Sequence, residues 1–413
     1  MYTINLGTGN INDAVSIIEY TNFEGGTYWS DLRKKYGHEK PYGVKTWYLG
    51  NEMDGPWQIA SWEKNPSGYG ILANEVSKAM KWVDGSIETA VCASSSPFLA
   101  HYPQWEMDVL QECYEAVDYI SLHHYHTAPE GDFAALLAGP CYMEDYVNTE
   151  IAVCDFVQAK LRSPKQLMLS FDEYGCRIGA NSPLTPGRNP HNLVAKHYRF
   201  DAERKYVRHN PADMGEAWER HRKSGDMVNT LTAASTMLMF IRHADRVKIG
   251  CMTGGLAALA ASNGDHVWKA ASNYSFTDLI KYGRGISMQT SVQCDTFDVP
   301  GYAIDDGSQY ATKENIPFID TAAAYDEENG ELNIFVVNRN WESDISIDLD
   351  ITGFDSYKFI EHTQLYSDDF DAKNSYENPS AIAPSVSAEA KYENSVLSSV
   401  VKKLSWNVFR FKK

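Results

Sequence analysis

The sequence predicts an α/β protein whose first two-thirds form a parallel strand–helix repeat and whose last third is all-β. Three observations carry this. From residue 2 to about 285, short apolar runs alternate with amphipathic stretches, the signature of strands joined by crossover helices. After about residue 286 apolar and polar residues alternate between turns, as in antiparallel strands. Several early strands also stop abruptly at chemically reactive side chains.

The strands of the first part are expected at Tyr2–Leu6, Val44–Gly50, Glu88–Ala93, Tyr119–Tyr125, Gln166–Tyr174 and Arg246–Gly250. Helices are expected near Ile11–Phe23, Ser67–Val83, Trp105–Ala116, Glu144–Leu161, Ser224–His243 and Asn273–Gly283. The apolar stripe Leu231–Ile241 reads as core. A stretch rich in Pro, Gly and Asn, Gly179–His191, interrupts the repeat after the fifth strand and reads as an active-site loop or insertion. In the second part the strand candidates are Ala322–Tyr325, Leu332–Asn338, Ile345–Ile351, Lys358–Leu365 and Leu404–Arg410. Glu328-Asn329-Gly330 is a hairpin turn between the first two. The division is a barrel-like domain at 1–285 and a β-sandwich at 286–413.

The strand ends are the most informative feature. Val44–Leu49 stops at Gly50-Asn51-Glu52, followed by a loop containing Trp57. Gln166–Phe171 ends in Asp172-Glu173, and Tyr119–Leu122 runs into His123-His124-Tyr125. Reactive side chains gathered at the C-terminal ends of parallel strands are the arrangement of a TIM (β/α)8-type barrel. Only six strand–helix units can be counted, two short of a closed eight-stranded barrel: either two strands escape this reading or the chain begins inside the fold, and an N-terminally incomplete barrel is the expectation. Amides and carboxylates bind sugar hydroxyls, and indole faces take the C–H face of a sugar ring. A carboxyl set beside Trp47 and Trp57 is also expected to have a raised pKa, as a general acid needs.

Composition bounds the rest. The 413 residues carry a net charge of −18 and are 12% aromatic, with 10 Trp and 25 Tyr. Such an acidic chain is a poor partner for nucleic acid or an anionic membrane. Seven scattered Cys without a Cys-x-x-Cys read as free thiols in a reducing compartment. No segment has the length and apolarity to span a bilayer and no signal peptide is visible, so a cytoplasmic protein is expected.

The residues quoted so far resemble the α-L-arabinofuranosidases of glycoside hydrolase family 51, within the larger clan of retaining barrel glycosidases. The matching runs are Asn5 to Gly9, Tyr28 to Arg33, Leu49 to Gln58, Val117 to Tyr125, Leu169 to Tyr174, Val336 to Arg339 and Leu404 to Val408. The resemblance covers nearly the whole chain, and the run Gly50-Asn51-Glu52-Met53-Asp54-Gly55-Pro56-Trp57-Gln58 is its most specific part. It implies double displacement, with Glu52 as acid/base and Glu173 as nucleophile. Asn51 would bind the sugar 2-hydroxyl, Tyr125 would hold the nucleophile, His123 would support both carboxyls, and Trp57 would lie near the sugar. It also implies an arabinose-containing oligosaccharide as substrate, no cofactor, no metal and a homo-oligomer.

Three departures stand beside these matches. Family members carry a sandwich strand and two barrel strands before the equivalent of Tyr2, which would make Tyr2–Leu6 barrel strand three. The nucleophile is usually followed by Trp-Asn-x-Trp, here Tyr174-Gly175-Cys176-Arg177. A sugar-binding Gln corresponds to Ala270.

Plainer roles are expected elsewhere. His124 should point away from His123 and pack against a helix, since neighbours on a strand alternate faces. Asp172 should make structural hydrogen bonds, and Asp54 should hold the loop after Glu52. Leu6-Gly7-Thr8-Gly9 lacks the third Gly of a dinucleotide loop. The expected activity is release of terminal α-L-arabinofuranosyl groups from arabinan or arabinoxylan oligosaccharides. Rival readings are a retaining β-xylosidase or β-glucanase of the same clan, or a non-catalytic carbohydrate-binding or assembly subunit.

Overall fold

The computed structural model describes residues 1–129, 131–177, 198–200, 206–208, 227–253, 259–262, 265–304, 308–370 and 372–413. The proline- and glycine-rich stretch Gly179–His191 lies outside them.

The first part opens with strand β1 (Tyr2–Ile4), helix α1 (Ile11–Asn22), helix α2 (Tyr28–Lys35) and strand β2 (Thr46–Leu49). There follow α3 (Pro66–Val83), β3 (Glu88–Cys92), α4 (Gln104–Cys113) and β4 (Tyr119–Thr127). Next come α5 (Phe133–Leu137), α6 (Gly139–Leu161) and β5 (Met168–Arg177). Short strands β6 (Tyr198–Phe200) and β7 (Tyr206–Arg208) pair with each other. Helix α7 (Met227–Arg242) and strand β8 (Val247–Met252) complete the repeat. The hairpin β9 (Ala260–Ser262) and β10 (Val267–Lys269) and helix α8 (Ser272–Tyr282) lie beyond it.

Strands β1, β2, β3, β4, β5 and β8 form one parallel sheet in that order, and each overlaps a strand expected from the sequence. The sheet is strongly curled. In a flat sheet β2 and β5, three places apart, would be separated by about 14 Å. Yet the Tyr48 hydroxyl of β2 lies 2.8 Å from Ser170 Oγ of β5. The inner face of the curl therefore brings distant strands within hydrogen-bonding reach, and the catalytic candidates lie at its rim.

Local chemistry explains the helix boundaries. Asn10 and Asp13 form a reciprocal capping box at α1, and Asn65 caps α3 ahead of Pro66 at its first position. Helix α2 was not anticipated. Eight polar-rich residues give no apolar stripe, and its inward face is Ser30 and Arg33. Buried Arg33 donates to the carbonyls of Tyr20, Phe23, Glu24, His38 and Glu39. This ties α1, α2 and the following loop together through backbone acceptors. Helix α6 begins five residues before its expected start because Pro140 stands in its first turn, where a missing N–H is harmless.

The last third is antiparallel. Strand β11 (Ile286–Met288) precedes a ribbon of β12 (Thr296–Val299), β13 (Tyr302–Ala303), β14 (Gln309–Tyr310) and β15 (Lys313–Pro317). The remaining strands are β16 (Ile319–Asp326), β17 (Glu331–Asn338), β18 (Ile345–Asp350), β19 (Lys358–Leu365), β20 (Ser385–Val386), β21 (Lys391–Glu393), β22 (Val396–Val401) and β23 (Ser405–Lys412). They form a six-stranded sheet, β11-β16-β17-β23-β19-β20, and a three-stranded sheet, β18-β22-β21. Ile334, Val336, Phe409 and Phe411 of the larger sheet share one apolar cluster with Leu397 and Val401 of the smaller. Gly330 takes φ +62° in the turn between β16 and β17, the hairpin read from Glu328-Asn329-Gly330.

Helix α7 joins the two parts. Every residue from Met227 to Met239 is buried, as the Leu231–Ile241 reading required. It touches β5 and β8 on one side and β16, β17 and β23 on another. Its Arg242 donates to Asp320 Oδ1 at 2.8 Å and to the Thr321 carbonyl.

Candidate active site

Strand β2 delivers Glu52 through a sharp turn. Gly50 has φ +104°, and a Cβ there would lie 2.5 Å from Met53 Cγ. Glu52 itself sits at φ +48°, a left-handed conformation that is strained for a residue with a side chain. The turn closes with the Gly55 N–H donating to the Glu52 carbonyl at 2.8 Å. Its loop then folds back on the carboxyl. Trp57 Nε1 donates to Glu52 Oε2, and Gln58 Nε2 donates to the same oxygen at 3.3 Å. Gly55 leaves room for this, because a Cβ there would meet the Trp57 ring at 2.4 Å.

Strands β4 and β5 supply the other side. Their register slips between Leu122 and His123: Leu122 pairs with Phe171 but His123 pairs with Glu173, leaving Asp172 as an extra residue. This is a β-bulge, which re-aims side chains that regular alternation would send to opposite faces. As a result His123 reaches both acids. Its Nε2 lies 3.3 Å from Asp172 Oδ2 and its Nδ1 3.7 Å from Glu173 Oε2. Nδ1 is also 3.0 Å from Glu52 Oε1.

Tyr125 donates to Glu173 Oε2 at 2.7 Å, and its hydroxyl is 2.9 Å from Thr253 Oγ1. Behind them Ser121 donates to Asp172 Oδ2 at 2.9 Å, and Tyr48 and Ser170 continue the chain inward.

Glu52, His123 and Glu173 each place one polar atom within 4.8 Å of the others. That spacing would suit a metal, but His123 and Glu52 already satisfy each other by a hydrogen bond. The spacing also suits two carboxyls acting on one carbon, for which a retaining glycosidase needs about 5–5.5 Å.

His123 is buried, its side chain 3% exposed. Burial alone would disfavour its charged form, but hydrogen bonds and charge from Asp172 and Glu52 outweigh this and raise its pKa to about 10. The folded value therefore lies above the ordinary 6.5 or so. The imidazolium contributes stability in full below about pH 6.5 and loses it as pH rises through about 10. Denaturant unfolding should show the gap between wild type and His123→Gln narrowing over that window. A gap independent of pH would show that the ring is neutral.

The other sequence candidates fall as follows. Asn51 is exposed beside Glu52 at the rim. Trp57 meets Glu52 through its N–H. Trp47 does not share that role. It is buried, its Nε1 donates to the Val44 carbonyl, and its ring packs near Tyr2. The expected aromatic, acid-raising surroundings of Glu52 are instead a set of N–H donors.

Asp54 is buried and accepts from the Ser95 N–H at 2.9 Å, holding the turn. His124 packs near Tyr146 of α6, and His126 lies 2.7 Å from Thr236 of α7. After Glu173, Tyr174 packs edge-on against Phe240. Ala270 follows the β9–β10 hairpin and is half-buried. Sequence reading missed Gln58, Ser121, Ser170, Tyr48 and Thr253. Hydroxyl and amide side chains of this kind carry no signal until the curl of the sheet brings them together.

Comparisons with known proteins agree with this geometry. Residues 5–138 match the family model described as the α-L-arabinofuranosidase 1 domain, and residues 172–405 match the α-L-arabinofuranosidase C-terminal domain. The chain is 34% identical to the intracellular exo-α-(1→5)-L-arabinofuranosidase of Acetivibrio thermocellus, over 100% of its own length and 76% of that protein's. It is likewise 34% identical to the intracellular exo-α-(1→5)-L-arabinofuranosidase 1 of Bacillus subtilis, over 99% and 75%.

Among solved structures, a family 51 α-L-arabinofuranosidase from Bifidobacterium longum superposes with a TM-score of 0.79 at 23% identity, covering 100% of this chain and 75% of that one. The arabinose complex of the Thermotoga maritima α-L-arabinofuranosidase gives 0.78 at 23%, with the same coverage. At that identity these structures speak for the fold alone, and the curled parallel sheet fits a TIM-like barrel. The chain belongs to the α-L-arabinofuranosidases of glycoside hydrolase family 51.

Proposed function

We propose that this protein is a retaining glycoside hydrolase that releases terminal α-L-arabinofuranosyl groups from arabinan- or arabinoxylan-derived oligosaccharides. The relatives named above, described as acting on α-(1→5) linkages, support that linkage class. The carrying observation is the meeting of Glu52 and Glu173, from different strand ends, within 4.8 Å around one histidine.

Glu173 attacks the anomeric carbon as a carboxylate, while Glu52 gives a proton to the departing alcohol oxygen. The product is a β-linked glycosyl ester on Glu173. Glu52, now ionised, takes a proton from water, which attacks the same carbon from the opposite face and releases the α-sugar. Tyr125 orients Glu173 through its 2.7 Å hydrogen bond. Asn51, exposed beside Glu52, binds the 2-hydroxyl. Trp57 offers its ring to the sugar while its N–H holds Glu52.

His123 is the proton partner of this pair. A proton on Nδ1, 3.0 Å from Glu52 Oε1, passes to the carboxyl for the acid step and returns for the base step.

We read residues 1–285 as the catalytic barrel and 286–413 as a sandwich of the two antiparallel sheets. We also read the protein as a cytoplasmic homo-oligomer. Relatives named as intracellular support the location. Among the described residues no helix is long and apolar enough to cross a membrane.

Proton NMR during hydrolysis of an aryl α-L-arabinofuranoside tests the reading. The first sugar released should be the α-anomer, equilibrating later to the mixture. Initial β-anomer, or hydrolysis of aryl xylosides only, would overturn it.

A further inference from the structure

Behind the turn that carries Glu52 lies a buried acidic network. Asp54, two residues beyond Glu52, is fully buried. Its Oδ2 accepts from the Ser95 N–H at 2.9 Å and the Ser95 hydroxyl at 3.1 Å, and lies 3.2 Å from His101 Nε2. The preceding residue on the same loop is held from the other side. The Ser94 N–H donates to Glu106 Oε1 of α4 at 2.7 Å, and the Tyr146 hydroxyl of α6 donates to the Ser94 carbonyl.

Glu106 is buried in turn, with buried Glu150 of α6 beside it. Burial, together with the neighbouring acids, raises both groups above the ordinary carboxylate range.

We propose that Asp54 is a positioning residue for the acid/base, locking the Glu52 turn to the β3 loop, and that Glu106 of α4 and Tyr146 of α6 brace that loop through Ser94. The proposal rests on the reading of Glu52 as acid/base. The strain of Glu52 at φ +48° gives the brace its purpose. A left-handed residue persists only where its surroundings over-determine it, and here the fixed points on either side are Gly50 and Asp54. All of these contacts fall on Oδ2, so Asp54→Ala removes the whole lock, whereas Asn can keep one acceptor oxygen in that place.

The test uses Asp54→Ala, checked for folding by circular dichroism, and compares kcat/KM for arabinobiose and for 2,4-dinitrophenyl α-L-arabinofuranoside. A misplaced acid should cost about 10- to 100-fold on arabinobiose and under about threefold on the dinitrophenyl substrate, whose leaving group needs no proton. Azide should raise kcat on the latter, because it replaces a water that Glu52 no longer activates. Asp54→Asn, which keeps one acceptor oxygen for Ser95, should stay within about threefold of wild type on both substrates.

A readout independent of turnover is the Trp57 indole N–H, assigned through Trp57→Phe. Its NMR shift should move toward that of a free indole in Asp54→Ala and stay put in Asp54→Asn. Folded Asp54→Ala with an unmoved indole signal, or with equal losses on both substrates and no azide response, would overturn the proposal. Wild type that fails to hydrolyse either substrate would sink the functional reading, while the indole shift would still decide the brace.

Discussion

Glu173→Ala should abolish hydrolysis of every α-L-arabinofuranoside, with kcat falling on the order of 10⁴-fold or more, the scale seen when a covalent nucleophile is removed. The fold should tolerate the change. Tyr125 keeps its hydrogen bond to Thr253, and His123 keeps Glu52 and Asp172. Azide should restore turnover of an activated aryl substrate by entering the space the carboxylate leaves. Because azide then attacks from the nucleophile's own face, the product should be the β-arabinosyl azide. A folded variant with more than about 10% of wild-type activity would remove Glu173 from its role.

Glu52→Ala should split substrates by leaving group. On arabinobiose, whose departing hydroxyl needs a proton, kcat/KM should fall by about 10²- to 10⁴-fold. On 2,4-dinitrophenyl arabinofuranoside it should stay within about tenfold, since the phenolate leaves unaided. Breakdown of the glycosyl-enzyme then limits kcat, and azide should accelerate it. Here azide meets the covalent intermediate on the opposite face and gives the α-azide. The two variants thus yield azides of opposite configuration, which a shared structural defect could not produce. Equal losses on the two substrates would show that Glu52 does not donate the proton.

Much of this was legible in the sequence, and the reason is local. The six parallel strands are continuous apolar runs bounded by turns, and β16, β17 and β19 are period-two patterns bounded by Gly or Asp. Both catalytic candidates sit where such a run stops, so strand ends and active rim coincide. The short strands β11 to β15, together with β20 to β22, were missed because two to six residues carry too little periodicity. Helix α2 was missed because its buried face is a serine and an arginine.

At the site, the sequence gives no warning of the bulge at Asp172. Strict alternation would send Asp172 and Glu173 to opposite faces, yet one added residue lets His123 bond the first and lie beside the second. The surroundings of Glu52 were misjudged for a related reason. An indole near a carboxyl was read as apolar cover, but Trp57 turns its N–H toward the oxygen.

Helix α7 has a consequence for how the whole molecule comes apart. With no wet face from Met227 to Met239, it serves as a party wall between a parallel sheet and an antiparallel one. Neither neighbour can vacate without laying bare greasy side chains such as Leu231, Met237, Leu238 and Met239. Heat or urea should therefore take both halves down in one step, and severing the chain near residue 285 would strand the wall rather than liberate two sound domains.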